Sequence, residues 1–549
     1  MKILIYTWIL GLFGLMVLVS SCEKKLDEYN PSGLTASTVV TKAAGFETLV
    51  NAAYSYDRFW YGKEEGVSVS EMGTDIWTSG SGDVYPQLTQ YNNLQGSNTS
   101  SLNLLWNNFY AAINLCNTGI SAISKVTDYT AAQKATREGE LRFLRAFYYW
   151  HIAETWGGVN FTTQPTSGVV TTANRTPVDT IYNQIFTDLK FAVANLPATT
   201  TDYGRATIPV AKAFLARMYL TRGMNAEANT LASNVIKNYG YSLLPKFSDL
   251  WSMANLKNKE VIWAIDYSTN LANNDLTTSS YPNGHSRGSN NDHLLYLMVY
   301  DQVNTSTLIR DIPYGRPFNR YMPTLSLLNL FDDVNDSRFS GSFQTVWLAN
   351  KASGTVKIGD TVAYCPKGTI PVAQQSAKYK TYDYAKVYGS TGAPIQNKFY
   401  ISLSKFLDPT RTSIAEAQSA RDVFVIRLAE MYLIAAEAKL KLNDKDSAAY
   451  YINQIRTRAA KPGRTAQMQI TPAQVTLDFI LDERARELCG EQLRWFDLKR
   501  TGKLISRINT MNPDAAKYIK DYHLVRPIPQ TQLDAVTNKS VFTQNPGYN

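Results

Sequence analysis

Apolar positions along the 549-residue chain follow three patterns. From Ile3 to Val19 no charge interrupts the run. Through residues 43–240, and again through 427–459, apolar and small residues recur every three to four positions, the period of a helix that buries one face. From 241 to 420 that period disappears. There "KEVIWAIDYS" (259–268) alternates as a strand does, among stretches rich in Tyr, Asn, Gly and Ser.

The helical regions read as pairs. In "IPVAKAFLARMYLTRGMNAEANTLASNVIKNYG" (208–240), Leu215, Ala216 and Tyr219 share one helix, Gly223 breaks it, and Ala228, Ala232 and Val235 follow on a second. Aligned on the turn, residues 427–459 place Ala435 and Ala436 where Leu215 and Ala216 stand, with Asn443-Asp444 replacing the Gly223 turn and Ala448, Ile452 and Ile455 completing the second helix. Two segments in one register predict tetratricopeptide-type hairpins. Looser pairs join 140–156, apolar nearly all round, to 180–196, and 43–60 to 104–123. The insertion inside that first pair, "SEMGTDIWTSGSGDVYPQLTQYNNLQGSNTS", is not helical, and so long a break usually carries function. The predicted fold is mainly α: a tetratricopeptide-like superhelix of helical pairs with an irregular insertion containing short β-strands. No Pro-rich linker divides it, so residues 22–549 are expected to form one body, with three pairs in 22–240, a loop-rich insertion in 241–420 and the fourth pair in 421–549.

The opening run has another purpose. Lys2, the apolar stretch and the small residues before Cys22 predict a signal peptide over residues 1–21. Val19-Ser20-Ser21-Cys22 resembles a bacterial lipobox, which would make Cys22 an acylated first residue. Each buried methylene contributes about 0.8 kcal/mol, so two or three acyl chains hold a protein on a bilayer. The charged stretch after Cys22 would then be a tether.

Composition narrows the chemistry. The net charge is +9, or +8 without Lys2, but Lys and Arg are interleaved with acids, which excludes a nucleic-acid patch. Cys116, Cys365 and Cys489 are too scattered for a disulfide framework, and His151, His285, His293 and His523 have no zinc-ligand spacing, so neither metal nor other cofactor is expected. No serine elbow, P-loop or dinucleotide fingerprint occurs. The charged cluster "DERARELCGEQLRWFDLKR" reads as structural: Asp482 and Arg486 are four apart, while Leu481, Ala485, Leu488 and Cys489 form an inward stripe. No catalytic residue is assigned.

The lipobox with "CEKKLDEYNP", then "LRAFYYWHIAETWGGV", "IPVAKAFLARMYL", "NKEVIWAIDYS", "VIRLAEMYLIAAEAKL", "DERARELCGEQLRWFDLKRTGKL" and "VRPIPQTQLDAVTNKSVFTQNPGY" occur in that order to the end of the chain. With these motifs the sequence resembles the SusD/RagB family of surface glycan-binding lipoproteins of Bacteroidota. The resemblance implies four tetratricopeptide-like pairs and a lipid-anchored, surface-exposed position on the outer membrane. It also implies a SusC-like TonB-dependent barrel as partner, an oligosaccharide or polysaccharide as ligand, and no catalysis. A RagB-like peptide binder on the same scaffold and a glycoside hydrolase are the alternatives.

Sugars offer apolar C–H faces and a hydroxyl rim, so their sites want flat aromatic rings beside Asn, Asp, Arg or Gln. With 34 Tyr and 10 Trp the chain has rings to spare. Candidate ligand contacts are Asp75, Trp77, Asp83 and Tyr85 in the first insertion, and Tyr281, Asn283, Arg287, Tyr321 and Trp347 in the second. Trp106, Trp150, Trp156, Trp251, Trp263 and Trp495 fall on predicted helices or strands and are expected in the core.

Overall fold

The computed structural model describes residues 40–268 and 290–548. Eight helices form a continuous array: α1 (Ala43–Ser55), α3 (Ser100–Ala122), α4 (Ala131–Trp156), α5 (Val178–Asn195), α6 (Ile208–Thr221), α7 (Asn225–Asn238), α8 (Leu428–Lys441) and α9 (Lys445–Ala459). Each packs on the next, and α8 docks on α7 although the whole second insertion lies between them in the chain. The short helix α2 (Glu64–Ser70) follows α1.

The two hairpins in common register close alike. Gly223 and Asn443 both take the left-handed backbone, at φ 73° and 61°. Met224 N donates to Tyr219 O and Asp444 N to Lys439 O, each at 2.9 Å, the six-to-one bond that ends a helix on a left-handed residue. Glycine adopts this backbone freely; asparagine is the side chain that tolerates it best. Helix α4 begins nine residues before the apolar stretch that predicts it, because Thr130 and Gln133 form a capping box that starts a helix on polar residues.

A second core lies under the insertion. Strand β2 (Val261–Ile265) pairs antiparallel with β9 (Val423–Arg427), and this ribbon divides the two cores. Ile262, Trp263 and Ile265 pack into the helical array, while Val261 and Ala264 face the insertion's cluster around Trp251, Tyr296 and Trp347. Alternation predicts a strand with one wet face; all five residues are buried instead, and the bulges on either side of Trp263 turn Ile262 and Trp263 toward the same core. Among the described residues the remaining sheets are small: β1 (Trp77–Ser79) with β3 (Tyr321–Pro323), β4 (Phe343–Gln344) with β8 (Ser402–Leu403), and β5 (Val346–Leu348) with β6 (Thr361–Tyr364) and β7 (Lys380–Thr381).

The charged cluster is a buried ionic core. In helix α10 (Leu477–Glu487), Glu483 and Glu487 meet Arg338 at 2.8 and 3.0 Å, and Glu487 also binds Arg427 at 2.7 Å and Arg458. Although burial raises the Glu487 pKa, Arg458, Arg427 and Arg338 pull it down to about 2. Asp482 pairs with Arg507 instead of Arg486, whose partner is Glu483 at 2.6 Å. The predicted stripe of Leu481, Ala485, Leu488 and Cys489 is buried.

Candidate functional site

Backbone joins the two insertions. Trp77 stands opposite Pro323 and Ser79 opposite Tyr321 in the β1–β3 ladder. Past the strand ends, Gly80 N donates to Arg320 O at 2.8 Å and Gly82 N to Asn319 O at 2.9 Å. A Cβ on Gly80 would lie 2.2 Å from Asn319 O, and one on Gly82 2.3 Å from Phe318 O, so only glycine lets the loops approach this closely. Asn319, at φ 54°, accepts from Ser81 N at 2.6 Å through Oδ1 and donates through Nδ2 to Lys398 O at 3.0 Å. Residues 80–84, 316–320 and 397–398 therefore converge on one surface crest.

At this crest two guanidinium groups approach the partly exposed Phe318 ring, Arg316 at 5.2 Å and Arg320 at 5.0 Å from its centroid. Arg320 is anchored by Glu64 at 2.7 Å and by Gly82 O, and Arg316 donates to Ala415 O at 2.6 Å. Burial, and then the charge of Arg310, lower the Arg316 pKa against the opposing charge of Glu416. A ring beside planar donors matches a sugar's apolar face and hydroxyl rim. Sequence reading missed these three residues. Their signal was the every-second-residue spacing in "RPFNR", although the left-handed Asn319 interrupts the extended run that such spacing implies.

The sequence-derived candidates fall elsewhere. Trp77 is fully buried, its ring 4.8 Å from that of Tyr296, and Asn512 Nδ2 holds its carbonyl at 3.0 Å. It is a packing residue, not an outward platform. Asp75 is fully buried and takes two bonds from Arg494 and one from Arg507. Burial raises its pKa, but those two arginines outweigh burial and leave it below the usual value. Tyr321 is buried with its hydroxyl 2.5 Å from Ser68 Oγ, and Trp347 is buried in the second core. Tyr85 is buried too and donates to Glu65 at 3.1 Å. Asp83 sits at the crest, but its oxygens accept from Ser79 Oγ and Tyr85 N, so it shapes the turn. Cys22, Tyr281, Asn283 and Arg287 lie outside the described residues. The six tryptophans expected in the core are all buried.

A second place gathers aromatic and polar groups. Open clefts of about 760 and 710 Å³ meet at Tyr203, between α5 and α6, with Tyr239, Tyr241 and Lys257 on one side and Tyr54 and Arg58 on the other. Lys257 Nζ covers the Tyr203 ring at 4.4 Å. Among the described residues no group of His, Cys, Asp or Glu could hold a metal ion, and no helix is long and apolar enough to cross a membrane.

Comparison with known proteins gives the frame for this geometry. Residues 259–548 match the SusD family model, and residues 26–220 match one described as starch-binding associating with outer membrane. SusD-like protein P2 of Formosa agariphila is 26% identical over 95% of this chain and 96% of its own. Starch-binding protein SusD of Bacteroides thetaiotaomicron is 25% identical over 76% of this chain and 74% of its own. Among solved structures, a laminarin-binding SusD-like protein superposes with a TM-score of 0.70 at 22% identity, covering 92% of this chain and 100% of that one. Surface glycan-binding protein A from Bacteroides thetaiotaomicron, in complex with laminarihexaose, gives 0.67 at 20% identity, covering 92% and 99%. The structural likeness shows a shared fold, and the first family model spans more than half of the sequence. The chain belongs to the SusD family.

Proposed function

We propose that this protein is a cell-surface glycan-binding lipoprotein, acylated at Cys22, that captures an oligosaccharide or polysaccharide and passes it unaltered to a SusC-like TonB-dependent barrel in the outer membrane. The carrying observation is the crest where the β1–β3 ladder brings Phe318, with Arg316 and Arg320 beside it, against the first insertion. Relatives named for binding laminarin and starch support a glucan as the first ligand to try. The buried ionic core supports binding without chemistry, since its carboxylates are held in ion pairs with arginines. Titrating the protein with laminarin, starch and acidic polysaccharides beside a peptide panel tests this reading. Heat with a glycan and none with peptides supports it; heat with peptides alone, or release of reducing ends from a bound glycan, contradicts it.

A further inference from the structure

Lys63, between α1 and α2, is fully buried, and its Nζ stands 3.2 Å from Oδ1 of Asn291, 228 positions away and equally buried. The carboxamide is fixed from its other side: Asn291 Nδ2 donates to Ala417 O at 2.7 Å, and Asn291 N donates to Gly62 O at 2.8 Å. Gly62, at φ 78°, is so closely packed that a Cβ there would lie 2.9 Å from the Tyr267 hydroxyl oxygen and 3.1 Å from Asn290 Cγ. Amine and amide are therefore held together by both of their backbones.

The surroundings suit a reaction between them. Glu65 and Asp292 are buried, act on the charge of Lys63, and each keeps one carboxyl oxygen without a hydrogen-bond partner, Oε2 and Oδ1 respectively. Burial lowers Lys63 to about 7, against the opposing pull of Glu65 and Asp292, and raises Asp292 to about 7 and Glu65 above the usual carboxylate range. Desolvation thus favours an uncharged amine, a nucleophile, beside an uncharged acid, a proton source. Fixed contact supplies the proximity that an exposed lysine and asparagine lack.

We propose that Lys63 and Asn291 join in an intramolecular isopeptide bond. Lys63 Nζ attacks Asn291 Cγ, and the new Nζ–Cγ bond replaces the Cγ–Nδ2 bond. Protons given up by the amine pass through the buried carboxyls to the departing nitrogen, which leaves as ammonia. Nothing is oxidised or reduced. The product is a neutral secondary amide, which also removes a buried cation. The bond closes residues 63–291 into a ring and ties the chain entering the first insertion to the second insertion. Cys116, Cys365 and Cys489 are buried and unpaired, so among the described residues no disulfide supplies such a lock.

Tryptic digestion of the full chain, read by mass spectrometry, tests this directly. Lys63 and Asn291 should be recovered in one branched species whose mass is that of the peptide 59–125, uncut after Lys63, plus that of the peptide 288–310, less about 17 Da, one ammonia. Lys63→Arg should restore cleavage after position 63 and a linear 288–310 peptide at full mass, which separates the cross-link from succinimide formation at Asn291. Because the unsubstituted chain carries the primary result, poor folding of the variant would not obscure it. A linear 288–310 peptide at full mass with cleavage after Lys63, or a loss of ammonia confined to the Asn291 peptide, would overturn the proposal.

Discussion

At the scale of single residues, side chains that look alike in sequence do opposite work. Trp77 sits among Gly, Ser and Thr as a free ring would, yet it is fully buried because the C-terminal segment closes over the first insertion: Asn512 holds the carbonyls of Thr74 and Trp77, and Arg494 and Arg507 hold Asp75. No local pattern announces contacts more than 400 positions away. Trp77→Ala should consequently cost about 3–5 kcal/mol of stability, read as a fall in the denaturant midpoint. A second prediction concerns Glu71, whose Oε1 accepts from Leu493 N at 2.9 Å and Arg494 N at 3.3 Å. Burial outweighs those bonds and raises its pKa to about 7. A carboxyl whose folded pKa is raised contributes its full stability below the unfolded value near 4.5 and loses it as pH climbs through about 7. Glu71→Gln keeps the acceptor without the charge. Melting curves should show the variant gaining on the unsubstituted protein by roughly 1–3 kcal/mol between pH 5 and pH 8. A difference that does not change with pH would exclude this assignment.

At the scale of elements, helices were legible because their period is local, and strand partners were not. The Gly223 and Asn443 hairpins share register, turn backbone and closing bond, as the aligned sequences predict. By contrast β1 and β3 are separated by more than two hundred residues, and β2 and β9 by more than one hundred and fifty, so their pairing depends on the completed fold. The buried ribbon β2–β9 also shows why its alternation misleads: two cores, one on each face, replace the single core that an alternating strand implies. The shared hairpin turn yields a direct prediction. A Cβ on Gly223 would meet nothing within 4 Å, so Gly223→Ala isolates the backbone cost of φ 73°. Thermal denaturation should register a loss of about 1–2 kcal/mol. A smaller effect would mean that the turn relaxes.

At the scale of the whole molecule, the helical array is a frame and the two insertions are what it presents. Membership of the SusD family was readable from motifs spread along the chain; among them "IPVAKAFLARMYL" builds a helix, "NKEVIWAIDYS" a strand and "DERARELCGEQLRWFDLKRTGKL" the ionic core of the frame. The candidate ligand site was only half readable. That its candidates fall in the two insertions follows from the length and composition of those segments; that the insertions meet is seen only in the fold. Its residues were not readable, since Phe318, Arg316 and Arg320 become neighbours of Ser81 and Gly82 only through the β1–β3 ladder. The competing cleft at Tyr203 is lined by the α5–α6 connection and β2, not by the β1–β3 ladder that joins the two insertions. The central claim is therefore that glycan binds at the crest. Calorimetric titration of Phe318→Ala and Tyr203→Ala with whichever glycan the unsubstituted protein binds tests it most directly. Phe318→Ala should weaken binding by about 1–3 kcal/mol at an unchanged melting temperature while Tyr203→Ala binds normally; unaltered affinity in Phe318→Ala, or a loss confined to Tyr203→Ala, would contradict it.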